Sequence, residues 1–215
     1  MNSRKVTVVD YGIGNLLSVG RALESSGAQV VFSDRAEVIL ASDRVVLPGV
    51  GAFAKGMHGL RERNLVDPLI EFAAKGRPLL GICLGMQMLF RTSTEFGEQQ
   101  GLGLIEGRIV AIEPRDAQGL PMKVPHIGWS PLTAPPGSGG WKGSVLQRVA
   151  PGAHVYFVHS FTAQPERQED RLADTFYGSA RVSAAVRKGN ISGCQFHPEK
   201  SAATGLSIIT SFLEI

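Results

Sequence analysis

Cysteine is nearly absent: the 215 residues contain two, Cys83 and Cys194. Two thiols cannot build the disulfide framework of a secreted module, and they are too few for a structural zinc site. Aromatic residues are scarce at 7%, and the 19% of charged residues leaves a net charge of +3 with no run of one sign. A nucleic-acid footprint or a basic tail therefore has little support. Long apolar runs are missing too. The longest, Leu79 to Phe90, is interrupted by Gly81 and Gly85 and falls well below a membrane span. The amino-terminal stretch MNSRKVTVVDYG reaches an acid after four apolar residues, too few for a signal peptide's core. These absences predict a soluble, cytoplasmic protein with neither nucleic-acid nor membrane partners.

The chain has enough length and apolar content for a full core. Size scaling gives roughly 9,600 Å² of folded surface against roughly 33,000 Å² unfolded, so about 70% is buried without staples. In the first half, short apolar strands alternate with helices. Val6–Val9, Gln29–Phe32, Arg44–Leu47 and Pro78–Ile82 read as strands, and helices are expected after Asn15, over Ala52–Arg63 and over Val66–Lys75. That order predicts an α/β protein with a mainly parallel sheet covered on both faces. The second half crowds strands together at Gly107–Ile112, Val155–Val158, Leu172–Phe176, Ala184–Arg187 and Ile191–Phe196, so some pairing there is antiparallel. Ala203–Leu213 closes the chain as a helix. The loop Pro135–Gly140 is too short for a domain linker, and one domain over residues 1–215 is expected.

Several familiar patterns fail. Gly12 and Gly14 offer G-x-G after a strand, but Leu17 stands at the third glycine position, against a dinucleotide site. Gly51 and Gly56 have P-loop spacing with Met57 where lysine belongs. His154 and His159 lie five apart on a strand, so they face opposite ways and share no metal. No metal or cofactor is expected.

Gly81-Ile82-Cys83-Leu84-Gly85 is the informative segment. A strand leads into it and an apolar helix, read as Met86–Phe90, leaves it, as in a nucleophile elbow with sulfur in place of oxygen. The helix start favours a thiolate at Cys83, and the amide of Leu84 is placed to bind an oxyanion. A buried structural cysteine would look the same in isolation. A nucleophilic thiol needs a base and an orienter. His197-Pro198-Glu199 supplies both, because residues i and i+2 of an extended segment face the same way and proline keeps His197 extended. Pro48-Gly49-Val50-Gly51, at a strand's carboxyl end, can turn a second oxyanion amide inward from Val50 or Gly51.

Taken together, GICLGMQ, QFHPEKS and PGVGAF resemble the class I (triad) glutamine amidotransferases. YGIGN, PHIGW at Pro125–Trp129 and YFVHSF at Tyr156–Phe161 narrow the likeness to the glutaminase subunits of imidazole glycerol phosphate synthase. Glutaminases of other pathways commonly carry His where this chain has Met86. The resemblance, which spans Asp10 to Ser201, implies a three-layer, flavodoxin-like fold and hydrolysis of the glutamine side-chain amide by Cys83, His197 and Glu199. It also implies that Gln87, Glu95, Ser160 and Phe161 hold the substrate's amino-acid end, with a surface acid as the lesser reading for Glu95, which falls in a loop. A (β/α)8-barrel cyclase partner, in a heterodimer, would receive the ammonia. Asn15, His126, Trp129 and Lys188 are the interface candidates. Trp129 beside Ile127 fits a buried strand as well, and His126 a structural role. Ser130 departs from the subunit's usual Asn. Cys194 is expected to be packing.

Overall fold

Short strands that are apolar on both faces set up three layers. The computed structural model describes residues 4–215. Strands β1 (Lys5–Val9), β2 (Gln29–Ser33), β3 (Arg44–Leu47) and β4 (Leu79–Ile82) pair in parallel, with β3 between β1 and β4. Helices α1 (Leu16–Ser25), α2 (Ala36–Leu40), α3 (Phe53–Glu62) and α4 (Val66–Ala74) make the crossovers. Successive strand side chains point to opposite faces. Val6, Val8, Val46 and Leu80 therefore enter one core with α1, whereas Val45, Leu47 and Leu79 enter a second core with α3 and α4.

After β4 come α5 (Leu84–Met88), β5 (Phe90–Ser93), β6 (Gln99–Gln100), β7 (Ile105–Ala111), β8 (His126–Pro131), β9 (His154–His159) and β10 (Phe161–Pro165). The chain then returns to the central sheet through β11 (Arg171–Tyr177), β12 (Ala180–Lys188) and β13 (Ile191–Cys194), and ends in α6 (Ala202–Phe212). The seven-stranded sheet has the order β11-β12-β13-β4-β3-β1-β2. β13 pairs parallel with β4, while β12 and β11 run antiparallel at one edge. This is the α/β arrangement expected, with its antiparallel strands in the second half.

The expected helix over Met86–Phe90 is displaced: α5 occupies Leu84–Met88, and Phe90 already belongs to β5. The carbonyls of Met88 and Leu89 accept from the amides of Leu102 and Leu104 at 2.8 and 2.9 Å, so tertiary pairing replaces the next helical turn. The strand reading missed β5, β6, β8 and β10, which lie off the central sheet. β8 forms a two-stranded antiparallel sheet with β9, and β10 pairs with β7. His154 is exposed and His159 buried, opposite faces as expected. Among the described residues, no helix is long and apolar enough to cross a membrane.

Candidate active site

Because β4 and β13 run parallel, with Ile82 opposite Cys194, both open at the same edge of the sheet. The amide of Cys83 donates to the Cys194 carbonyl at 2.7 Å, extending the ladder one step past β4. The chain then turns sharply, with Cys83 in the left-handed region at φ 54°. The flanking glycines serve space rather than flexibility here. A Cβ at Gly85 would lie 1.8 Å from the Leu47 carbonyl oxygen, and one at Gly81 would lie 2.7 Å from the backbone of Met86. The elbow is thus pressed against β3 and α5, and only hydrogen fits at either side of it.

From the neighbouring strand, His197 follows β13 in extended conformation and Pro198–Lys200 forms a single 3-10 turn. That turn swings Glu199 back, so His197 Nδ1 and Glu199 Oε1 stand 2.7 Å apart with side chains only 3% and 2% exposed. Burial alone would strip the ring's proton. Cys83 and Glu199, acting from its two sides, outweigh burial and raise the His197 pKa to about 9. Its Nε2 is buried and makes no hydrogen bond of ordinary geometry among the described residues. The imidazole is therefore held charged, oriented by a carboxylate at one nitrogen and turned toward Cys83 with the other. Ser201 braces the turn: its hydroxyl donates to the His197 carbonyl at 2.7 Å and accepts from the Tyr156 amide at 3.0 Å. The sequence reading missed Ser201, and QFHPEKS contains it.

A sequence pattern of this kind has a counterpart among known families. Residues 7–214 match the family described as Glutamine amidotransferase class-I. The chain belongs to that family. Its curated relatives include imidazole glycerol phosphate synthase subunit HisH 1 of Legionella pneumophila (strain Lens), 49% identical over 98% of this chain and 99% of the relative. Another is imidazole glycerol phosphate synthase subunit HisH of Bacillus velezensis, 45% identical over 98% of this chain and 96% of the relative. Among solved structures, PurLQS from Thermotoga maritima matches with a TM-score of 0.69 at 18% identity, covering 100% of this chain and 99% of that one. A crystal structure of a glutamine amidotransferase matches with a TM-score of 0.71 at 19% identity, covering 97% of this chain and 99% of that one. These likenesses place the fold among the class I amidotransferases.

The amidotransferase elbow differs from expectation in one respect. The Leu84 amide, the expected oxyanion donor, is taken up by the Gly49 carbonyl at 3.3 Å. Val50 is exposed, and Gly51 sits at φ 96° with open space where a Cβ would be. Tyr11 anchors the start of this segment, its hydroxyl donating to the Pro48 carbonyl at 2.7 Å. The segment is thus present beside Cys83 in a conformation that closes the oxyanion amide with a carbonyl.

On the other flank, Gln87 Nε2 donates to Gln195 Oε1 at 3.0 Å and to the Phe161 carbonyl at 3.4 Å. Gln195, wholly buried, brings its Nε2 to 3.9 Å from Cys83 Sγ. It was missed by the sequence reading, although it opens QFHPEKS. Glu95 is no surface acid. It is buried, and its Oε2 accepts from the Phe53 amide at 2.6 Å, capping α3 from a loop. Ser160 gives its carbonyl to the Ile112 amide at 3.0 Å.

The interface candidates separate. Asn15 is exposed just past the carboxyl end of β1 and caps α1, its Oδ1 accepting from Ser18 at 3.3 Å. Trp129 is 51% exposed, which places it on the surface rather than in a core. His126, in contrast, is buried between the rings of Phe157 and Tyr177 and presents nothing to a partner directly. Lys188 pairs with Ile191, at the amino end of β13, and its Nζ donates to the Leu104 carbonyl. It therefore lies at the opposite end of the sheet from Cys83, because β12 returns antiparallel. Cys194 is fully buried, and burial pushes its thiol well up from the ordinary range, as fits packing. Both cysteines are free, and no cluster fit for a metal ion occurs among the described residues.

Proposed function

We propose that residues 1–215 form one glutaminase domain that hydrolyses L-glutamine through Cys83, as the ammonia-producing subunit of an imidazole glycerol phosphate synthase. The convergence of Cys83, His197 and Glu199 at the ends of two adjacent parallel strands carries this reading. The Cys83 thiolate adds to the side-chain carbonyl of glutamine, forming the C–S bond and a tetrahedral oxyanion. The charged His197 gives its Nε2 proton to the departing amide nitrogen as the C–N bond breaks, releasing ammonia. Water then adds to the thioester, His197 takes its proton, and glutamate leaves as the thiolate is restored. Glu199, 2.7 Å from His197 Nδ1, holds the ring and steadies the imidazolium.

Gln87, Glu95 and the backbone at Ser160 and Phe161 bind the amino-acid end. The oxyanion amides are completed when the Gly49–Val50 peptide turns over, freeing Leu84 and directing Val50 inward. Removing one such donor typically costs 100- to 1,000-fold in rate, so the closed conformation is a resting state of low activity. Ammonia is mostly protonated at neutral pH, and ammonium is no nucleophile. A protected path to a (β/α)8-barrel cyclase subunit therefore follows from the chemistry, with Asn15 and Trp129 on the face that meets it.

The test is glutamine hydrolysis by this chain with and without the barrel subunit. Strong stimulation by the partner is expected, with Cys83→Ala abolishing hydrolysis but sparing ammonia-dependent synthesis. Equal rates with and without partner would favour a stand-alone hydrolase.

A further inference from the structure

Two buried histidines stand outside the proposed chemistry. His126 on β8 and His159 on β9 are directly opposite in register. His126 Nδ1 is 3.0 Å from His159 Nε2, His126 Nε2 is 3.0 Å from Ser130 Oγ, and His159 Nδ1 is 2.8 Å from the Phe161 carbonyl. A carbonyl only accepts, and this fixes every proton in the row. His159 must carry its hydrogen on Nδ1 and donate it to Phe161. Its Nε2 then accepts from His126 Nδ1–H, which leaves His126 Nε2 to accept the Ser130 hydroxyl hydrogen. Burial draws both rings below the ordinary histidine range, His159 to about 4, so both are neutral as this scheme requires. The row ends on a carbonyl that cannot pass a proton on, so it is no proton relay. It is a strut.

We infer that Ser130 and His126 are positioning residues that act through His159 to hold the Phe161 carbonyl, and with it the glutamine-binding wall facing Gln87, in place. The Phe161 carbonyl is gripped from two sides, by His159 Nδ1 and by Gln87 Nε2 at 3.4 Å. Loss of the His126 donor leaves His159 Nε2 buried without a partner and frees the ring to exchange tautomers and release Phe161. The outer end of the row lies on the strand that exposes Ile127 and Trp129. The inference rests on the glutaminase reading above.

The test uses the full chain and two alkylating reagents at Cys83. 6-Diazo-5-oxo-L-norleucine must first bind as glutamine does, whereas iodoacetamide reports the thiol alone. His126→Phe keeps the ring stack and removes both hydrogen bonds; His126→Asn loses the stack but keeps a donor where Nδ1 was. His126→Phe should raise the inhibition constant of the glutamine analogue by roughly three- to tenfold, the effect of one buried hydrogen bond. Its limiting alkylation rate and its iodoacetamide rate should stay within about twofold. His126→Asn should remain nearer the parent. Should His126→Phe fail to fold, half-buried Ser130→Ala carries the same expectation at roughly two- to threefold. An unchanged constant in His126→Phe and Ser130→Ala, or a constant that follows the ring stack, would overturn the inference. Analogue that never labels wild-type Cys83, while iodoacetamide does, would overturn the glutaminase reading instead.

Discussion

Replacing Glu199 by glutamine isolates the charge that keeps His197 protonated. The substitution preserves shape and leaves an oxygen within reach of Nδ1, but it removes the carboxylate held 2.7 Å away in a nearly dry site. A hydrogen bond to a charged group contributes about 1.5–3 kcal/mol, and one pKa unit corresponds to about 1.4 kcal/mol, so its loss amounts to roughly one to two units. His197 should therefore fall from about 9 to between roughly 7 and 8, with Cys83 still opposing the effect of burial. The direct assay is a 15N-histidine NMR titration. With five histidines in the chain, and with His126 and His159 both displaced downward, a ring titrating near pH 9 is separable. Stability should respond in the same sense. A pKa raised by folding stabilises fully below the unfolded value of about 6.5, and this contribution fades as pH climbs through about 9. The parent should lose up to about 3 kcal/mol across that window, and Glu199→Gln distinctly less. Superimposable titrations of His197 in parent and variant would refute the reasoning.

Gly85→Ala forces a methyl against the Leu47 carbonyl, a backbone atom that cannot step aside. Destabilisation of at least about 1–3 kcal/mol is expected in thermal unfolding, with solubility loss if β3 must move. Arg171 and Asp174 form an ion pair with both side chains 3% exposed. Asp174→Asn should cost about 3–5 kcal/mol in urea unfolding by stranding the guanidinium, while Arg171→Met with Asp174→Leu should recover most of it. Tyr11→Phe releases the Pro48 carbonyl and should lower stability by about 0.5–1.5 kcal/mol. It should also speed amide exchange at Val50 and Gly51. Unchanged exchange there would mean that Tyr11 does not restrain the segment.

The parts legible in the sequence were those fixed by periodicity and sterics. Val6–Val9 and Arg44–Leu47 read as strands because a strand covered on both faces is apolar throughout. The elbow read from Gly81 and Gly85, where backbone approaches too closely for any side chain. Proximity of His197 and Glu199 was expected from an extended i, i+2 segment, but the 3-10 turn at Pro198–Lys200 is what brings Glu199 back to the ring. Tertiary pairing explains what was not legible. Phe90 left its expected helix because Leu102 and Leu104 claimed the carbonyls that would have continued it. That Lys188 lies at the end of the sheet away from Cys83 was not legible, because strand direction near a sheet edge leaves no local trace. The orientation of the Gly49 carbonyl has no sequence signal either, since glycine on both sides of Val50 leaves the local backbone unconstrained by side chains. Gln195 was hidden by its place one residue past β13, where alternation points it toward Cys83 rather than outward.

The pairing of β4 with β13 has a consequence for synthesis of the chain. Cys83 is made early, but its histidine, its carboxylate and the strand that positions them belong to the last elements before α6. β13 must also slot between β4 and β12, so the elbow lacks its neighbour on one side until then. A chain still emerging from the ribosome thus carries a thiol with neither His197 nor Glu199 beside it until its last strand is in place.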